Sequence, residues 1–328
     1  MHLRAEHAVR DLPTLHTFIR SHPLGVLTTS LPSENFPTLQ CSHIPWVLDG
    51  VNAGAGAGLD GTGTGDEGPS ARNLPGLSDE TNKQCTSKAS SGRDLGTLRG
   101  HIARANPHTK ALIEAVTEAG DAGDVTGPNS VVKQEEEGDR QGQSQSQGQG
   151  QGQGQVLPGE VLIVFTSPVD HYITPQFYAG SVGSGKVAPT WNYAAVQVYG
   201  RMVVYHSVKE EATGEFLSRQ LGDLARVGEV GIMGYGNASV GAGAGGDELG
   251  QGRSPWRIAD APVEYISMLK KGIVGMEVQI TRVEGRFKGS QEKGVADREG
   301  VIGGLEGMGG SRAREMAGFV RDMSVSRG

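Results

Sequence analysis

From Arg140 to Gln155 the chain reads RQGQSQSQGQGQGQGQ, without one large apolar side chain. Such a tract cannot bury enough surface to offset the entropy lost on ordering it, so no continuous core can run through it. It lies within a low-complexity stretch at about residues 120–156. Two others flank it, one at about 50–96 containing GAGAGLDGTGTGDEGPSAR and one at about 236–253 containing GNASVGAGAGGDELGQG. All three read as disordered surface insertions, which a domain tolerates because loop-closure entropy grows slowly with length. They explain why hydrophobic residues make up only 36% of a 328-residue chain that holds 52 glycines. The remaining patterned sequence, about 220 residues, suits one domain. We place that domain at 1–305, followed by a C-terminal helical tail at 306–328.

The patterned blocks alternate quickly between strand and turn. Leu12–Arg20 has apolar residues at helical spacing and stops at Ser21-His22-Pro23. Leu24–Thr29 and Thr38–Leu48 read as strands, with Pro45 marking an edge or bulge in the second. Thr97–Arg104 reads as a strand, and Pro107 then opens a helix through about Glu118. Val161–Thr166 is a short apolar run of the buried-strand kind. Trp191–His206 is one long strand, or two broken near Gly200. Helices are expected over Val208–Leu224, from Asp260 (as N-cap) to Leu269, and over Arg298–Leu305 and Arg312–Met323, with a strand at Ile273–Phe287. Strand follows strand with few helices between. This order predicts a mainly β, α+β fold, an antiparallel sheet closed into a barrel with helices at its periphery, and argues against a doubly wound sheet.

Charge narrows the function. The net charge is −7. Residues 50–97 hold six acids against four bases, 120–156 six against two, and 237–252 two against none, so the rest of the chain sits near +1. A protein that holds DNA mainly through phosphates should show a basic surface, and this balance gives little support to one. The opening MHLRAEHAVRDL has no apolar h-region, and no apolar run approaches the roughly 18 residues of a membrane span. Cys41 and Cys85 are the chain's two cysteines, too few for a disulfide framework. The expected compartment is the cytoplasm, with no membrane partner.

The motifs exclude more than they assign. Gly180-Ser-Val-Gly-Ser-Gly-Lys186 imitates a phosphate loop, but Val187 stands where Ser or Thr should reach magnesium, and Pro175 and Pro189 break the flanking strand and helix. The same stretch falls one residue short of a GxSxG nucleophile elbow. No HExxH or CxxC pair offers a metal site. Three other segments carry more information. In RGHIARANP, His101, Ala103 and Ala105 share one strand face and Ile102 and Arg104 the other, just before a helix N-terminus. Arg104 could offer a forked donor to phosphate. KVAPTWNYAAV sets Trp191 and Tyr193 around the amide of Asn192, enough to stack and orient a ring. EGRFKGSQ ends a strand with two cations, a hydroxyl and an amide.

Together these three blocks, with LGVLTT followed by SHIPWVL and with HYITPQFY after VLIVF, resemble the PaiB-type family of FMN-binding negative transcriptional regulators. The blocks fall in the family's order and cover essentially all the patterned sequence. The resemblance implies an FMN-binding split barrel related to the pyridoxamine-phosphate oxidase fold, and a homodimer with FMN in a cleft near the subunit interface. Carried onto this chain, it implies flavin contacts from Thr28, Thr29 and Ser30; from His101, Ala103, Arg104 and Asn106; from Trp191, Asn192 and Tyr193; and from Lys288, Ser290 and Gln291. In the last block Gly289 stands where the family has a bulky residue and Glu292 where it has an amide. No side chain stands out as a proton donor, so no catalytic residue is assigned. The expected function is FMN binding, with flavin-dependent oxidoreduction. The alternative is a negative transcriptional regulator that binds DNA or a regulatory partner, with FMN as a structural or sensing ligand.

Overall fold

The computed structural model describes residues 1–50, 94–123, 154–236 and 253–325. Most of the expectations placed on the three inserts fall outside these residues. Within them, the sequence's alternation becomes one antiparallel sheet, and the strand interiors follow the period-two pattern of burial.

Helix α1 (Leu12–Ser21) starts where Asp11 accepts the Thr14 N–H at 2.9 Å, and it buries Leu15, Phe18 and Ile19. Strand β2 (Leu24–Ser30) follows and pairs along its whole length with β3 (Leu39–Pro45). The chain bends at Trp46, and β4 (Val47–Asp49) pairs with β5 (Thr97–Ala103) instead. Pro45 sits at this bend, where its missing N–H costs no ladder bond. One segment, Leu39–Asp49, therefore joins both ends of the sheet path. Between those ends run β7 (Val161–Thr166), β9 (Thr190–Tyr205) and β10 (Ile273–Lys288), in the order β3-β2-β7-β9-β10-β5-β4. Short strands β1 (Ala8–Val9), β6 (Gln155–Val156) and β8 (His171–Ile173) pair with β10, β9 and β9. The closed sheet encloses Leu27, Ile44, Leu98, Ile163, Phe165, Val196, Val198, Met202, Met276 and Val278, all at most 1% exposed.

β9 is continuous through Gly200, not two strands. The register instead shifts on β10, between Ile280 and Arg282, leaving Thr281 as the bulged residue. Gly200 faces this irregularity, and a Cβ there would lie 2.5 Å from the Gln279 carbonyl oxygen.

Helices pack outside the sheet, as expected from their number and placement. Helix α2 (Pro107–Gly123) runs beyond Glu118 into what the sequence reads as an insert. Helix α3 (Glu211–Arg226) lies across β5 and β10. The helix expected from Asp260 begins later, as α4 (Val263–Lys271), because Asp260 closes a preceding 3-10 turn and accepts the Arg257 N–H at 2.8 Å. α5 (Val295–Gly307) and α6 (Ser311–Val325) form a hairpin. α6 is no loose tail. Met316, Ala317 and Val320 pack fully buried with Ile173, Tyr178, Val301 and Leu305. Among the described residues no helix is long and apolar enough to cross a membrane.

One buried charge ties a helix to the sheet. Arg99 is 1% exposed and gives a forked pair of hydrogen bonds to Asp49, the second at 2.9 Å, and another at 2.7 Å to Asp223 of α3. Arg219 adds a second contact to Asp49 at 2.8 Å. Burial alone would raise the Asp49 carboxyl, but the Arg99 bond and the nearby arginine charges hold it below the usual carboxylate range. A lowered folded-state value means stability that is present above the unfolded carboxyl value and lost as pH falls through the folded one. Arg99→Leu should therefore cost about 3 kcal/mol at neutral pH, since it removes the buried partner of Asp49 and Asp223 and leaves them only the exposed Arg219 and Arg226. Denaturant melts from pH 7 down to pH 3 should show wild type converging on the variant as Asp49 protonates.

Candidate functional site

Buried polar atoms of His7, Tyr178, Asn192 and Arg286 without a partner among the described residues gather with several cations at one end of the β9–β10 pair. Lys288 pairs in register with Tyr193, and its amine donates to the Thr190 hydroxyl. Burial pulls this amine below the ordinary lysine value; Glu292 opposes the shift, and the charges of Arg286, Lys293 and Arg4 add to it. Lys288, Arg286, Lys293 and Arg4 thus lie within electrostatic reach at this end, opposed by Glu292 and, beside Lys293, by Asp297. Glu292 is itself held by His7 at 3.1 Å. The Arg286 guanidinium lies 5.7 Å from the Tyr193 ring centroid, and its Nε is buried with no partner among the described residues.

The turn after β10 builds the floor of this end. Ser290 is fully buried and adopts φ 61°, the only non-glycine residue with positive φ among those described. That left-handed conformation costs on the order of 1–2 kcal/mol, so something must hold it. Asn192 does, donating from Nδ2 to Ser290 Oγ at 2.8 Å. Gln291 accepts the Gly289 N–H at 2.7 Å and donates to the Phe287 and Glu6 carbonyls at 2.6 and 2.9 Å. Two buried polar atoms here find no partner among the described residues, Asn192 Oδ1 and Tyr178 Oη. The N-terminal segment braces the same turn through Phe287 N–H to the His7 carbonyl, 2.9 Å.

The other expected residues lie elsewhere. Thr29 is buried inside β2, and its hydroxyl bonds His108 Nε2 at 2.9 Å while Ser42 Oγ meets Nδ1 at 2.9 Å. Burial holds the His108 ring below its ordinary value. A neutral ring with one donor and one acceptor suits two hydroxyls, and the arrangement pins the start of α2 to β2 and β3. Asn106 caps α2 by accepting the His108 N–H at 2.9 Å. Arg104 spends Nε and Nη2 on the backbone carbonyls of Lys271, His206 and Ile273, at 3.1, 2.6 and 3.3 Å. His101 and Ala103 sit on the outward face of β5, and His101 Nδ1 is buried without a partner among the described residues. Thr28 is half-buried and Ser30 exposed on β2.

These positions do not form one cluster within a single copy. His101 pairs with Gly275, and Gly275 with Tyr205, at the far end of β9 from Tyr193. Twelve strand residues separate the two levels, roughly 40 Å of chain and longer than one flavin mononucleotide. Thr28 lies between, level with Leu162 and hence with Tyr199. The structure unites Trp191, Asn192, Tyr193, Lys288, Ser290 and Gln291, and separately Thr29 and Asn106 around His108. The sequence reading missed Tyr178, His7, Lys293 and Arg4. Tyr178 lay in the HYITPQFY block already marked as a signature, but the three others carry no local pattern.

The antiparallel sheet curled into a barrel with helices at its periphery is the fold the sequence predicts. Residues 1–282 match the family model described as "Putative FMN-binding domain". An Aspergillus fumigatus protein printed as uncharacterized is 42% identical over 310 residues, covering 94% of this chain and 92% of its own length. An Emericella nidulans protein, also printed as uncharacterized, is 36% identical over 323 residues, covering 98% and 97%. The flavocytochrome Anf3 of Azotobacter vinelandii shares 9% identity, covering 88% of this chain and 72% of its own, at a TM-score of 0.34. A likeness that low adds nothing to the topology. The chain belongs to the FMN-binding family, and FMN is its cofactor.

The residues present fit that group. A group of cations suits a phosphate, orphaned buried polar atoms mark unfilled hydrogen-bonding capacity, and Tyr193 supplies an aromatic face. Lys288→Gln should weaken FMN binding by about tenfold or more, read by flavin fluorescence on titrating apo-protein. Because burial lowers the Lys288 amine, wild-type affinity should fall at a lower pH than an ordinary lysine would dictate, and the variant should lose that dependence.

Proposed function

We propose that this chain is a PaiB-like flavoprotein of the cytoplasm that works as a homodimer and uses FMN for redox chemistry. One observation carries the reading: Lys288, Arg286, Lys293 and Arg4 gather at one strand end beside the Tyr193 ring, answered by Glu292 and Asp297. Bound FMN supplies hydride or single-electron transfer, which no side chain here can provide. The protein's part is positional. Lys288 and Arg286 would hold the phosphate, Tyr193 would face the ring, and the Asn192–Ser290 bond would fix the turn from which Lys288 projects.

Homodimerisation is supported by the separation of the two groups of residues. A two-fold arrangement sets opposite ends of the same face against each other. A site shared between copies would let Thr28, Ser30 and His101 of one copy serve the same ligand as Lys288 of the other. A regulatory role on DNA has weaker support, because Arg104 is engaged with backbone carbonyls and the net charge is negative.

Purified protein should be yellow, release FMN at about one per subunit on denaturation, and sediment as a dimer. A nicotinamide donor should bleach the bound flavin. Tight FMN on a monomer would remove the shared site. Bound FMN with no reduction by any donor, together with a salt-sensitive DNA mobility shift, would favour the regulator instead.

A further inference from the structure

The cluster under the α5–α6 hairpin is apolar except for one hydroxyl. Tyr178 lies among Ile173, Val301, Leu305, Met316 and Val320, all fully buried like itself. Its Oη finds no partner among the described residues. A buried hydroxyl that bonds nothing costs stability, and phenylalanine would fill the same space without that cost. The hydroxyl is not what holds the ring. Phe177, the residue before it, lies on Gly300 and Gly304 of α5, where a Cβ would collide with its carbonyl oxygen and with its ring. Two residues beyond Tyr178, the Gly180 and Ser181 N–H groups donate to the Asp297 carboxylate at 2.8 and 2.9 Å. The phenol is thus fixed from both sides along the chain.

Its place is the cationic end of the β9–β10 pair. Lys293 Nζ lies 4.8 Å from the Tyr178 ring centroid. Lys293 belongs to the turn after β10, where its N–H donates to the Ser290 carbonyl at 3.0 Å and Ser290 Oγ accepts from Asn192. Tyr178 and the Lys288 amine therefore share two charged neighbours, Lys293 and Glu292. Burial pushes the phenol above its ordinary value, and Glu292 and Asp297 push it the same way. The group is an O–H donor at neutral pH, fixed, buried, unpaired and set beside cations. A phosphate oxygen is the acceptor that such a donor suits.

We propose that Tyr178 is a further cofactor-site residue, whose hydroxyl donates to the phosphate of bound FMN. The assignment rests on the flavin reading and deepens it, adding a neutral donor to the charges of Lys288 and Arg286.

Full-length protein stripped of flavin is titrated with FMN and separately with riboflavin, followed by flavin fluorescence, and its melting is measured without ligand. Tyr178→Phe keeps the ring. It should weaken FMN by about tenfold and leave riboflavin affinity as in wild type, since riboflavin lacks the phosphate. Flavin-free Tyr178→Phe should melt no lower than flavin-free wild type, because it sheds an unpaired buried hydroxyl. Thr213→Val is the control, removing another buried hydroxyl without a partner among the described residues, on α3; it should keep wild-type affinity for FMN. The assignment falls if Tyr178→Phe binds FMN as wild type does, or weakens riboflavin equally. It falls also if Thr213→Val loses as much affinity, or if flavin-free Tyr178→Phe melts lower, which would show the hydroxyl bonded within the fold. Wild type that takes up no FMN overturns the flavin reading and this assignment together, whereas wild type that binds FMN beside an indifferent Tyr178→Phe overturns the assignment alone.

Discussion

The barrel depends on one bend. Leu39–Asp49 pairs with β2 before Trp46 and with β5 after it, and this change of partner closes the sheet. Trp46 is 2% exposed and lies against Gly100, where a Cβ would come within 2.9 Å of the indole. Only glycine lets the β5 backbone approach that ring, so the closing contact is a glycine–tryptophan pair from two strands about fifty residues apart in sequence. Its indole N–H finds no partner among the described residues, a polar cost that the packing of the large ring must outweigh. Arg99, next to Gly100, faces the opposite way and clamps the same strand to Asp49 and to α3. Closure is thus secured on both faces of β5.

Closure also dictates where chemistry can occur. The interior is filled by aliphatic and aromatic side chains, leaving ligands the strand ends and the outer face. β9 and β10 are both 16 residues long, more than any other strand, and their ends extend past the closed part of the sheet. At one end the extension carries Tyr193 and Lys288, braced by the N-terminal segment and by α6. Gly289 makes this bracing close, since a side chain there would collide with Met323 and Phe319. The residue that departs from the family pattern is thereby matched by the helix packed over it.

The polar groups divide by function along the same geometry. His108 with Thr29 and Ser42, Asn106 at the α2 cap and Arg104 on three carbonyls all satisfy neighbours within the fold. Around Lys288 charge is left over, and around Asn192 and Tyr178 buried capacity is left unused. Satisfied groups stabilise the fold; the unsatisfied ones that gather beside Lys288 mark the end of the sheet that can take a ligand.

Local pattern determined much of this protein. The short apolar runs at Leu24–Thr29 and Val161–Thr166, the break at Pro23 and the helix opening at Pro107 are short-range effects of side-chain chemistry and geometry, and they placed the strands and helices within a few residues. The block order was enough to indicate the barrel and FMN. Partnership was beyond sequence. Nothing local in Arg99, Arg104 or His108 says which is buried against aspartates, which caps a helix end and which sits between hydroxyls, because each partner lies tens to hundreds of residues away. Nor could strings of residue types reveal that His101 and Lys288 stand at opposite ends of the same pair of strands. That is set by antiparallel register, which exists only once β5, β9 and β10 have paired.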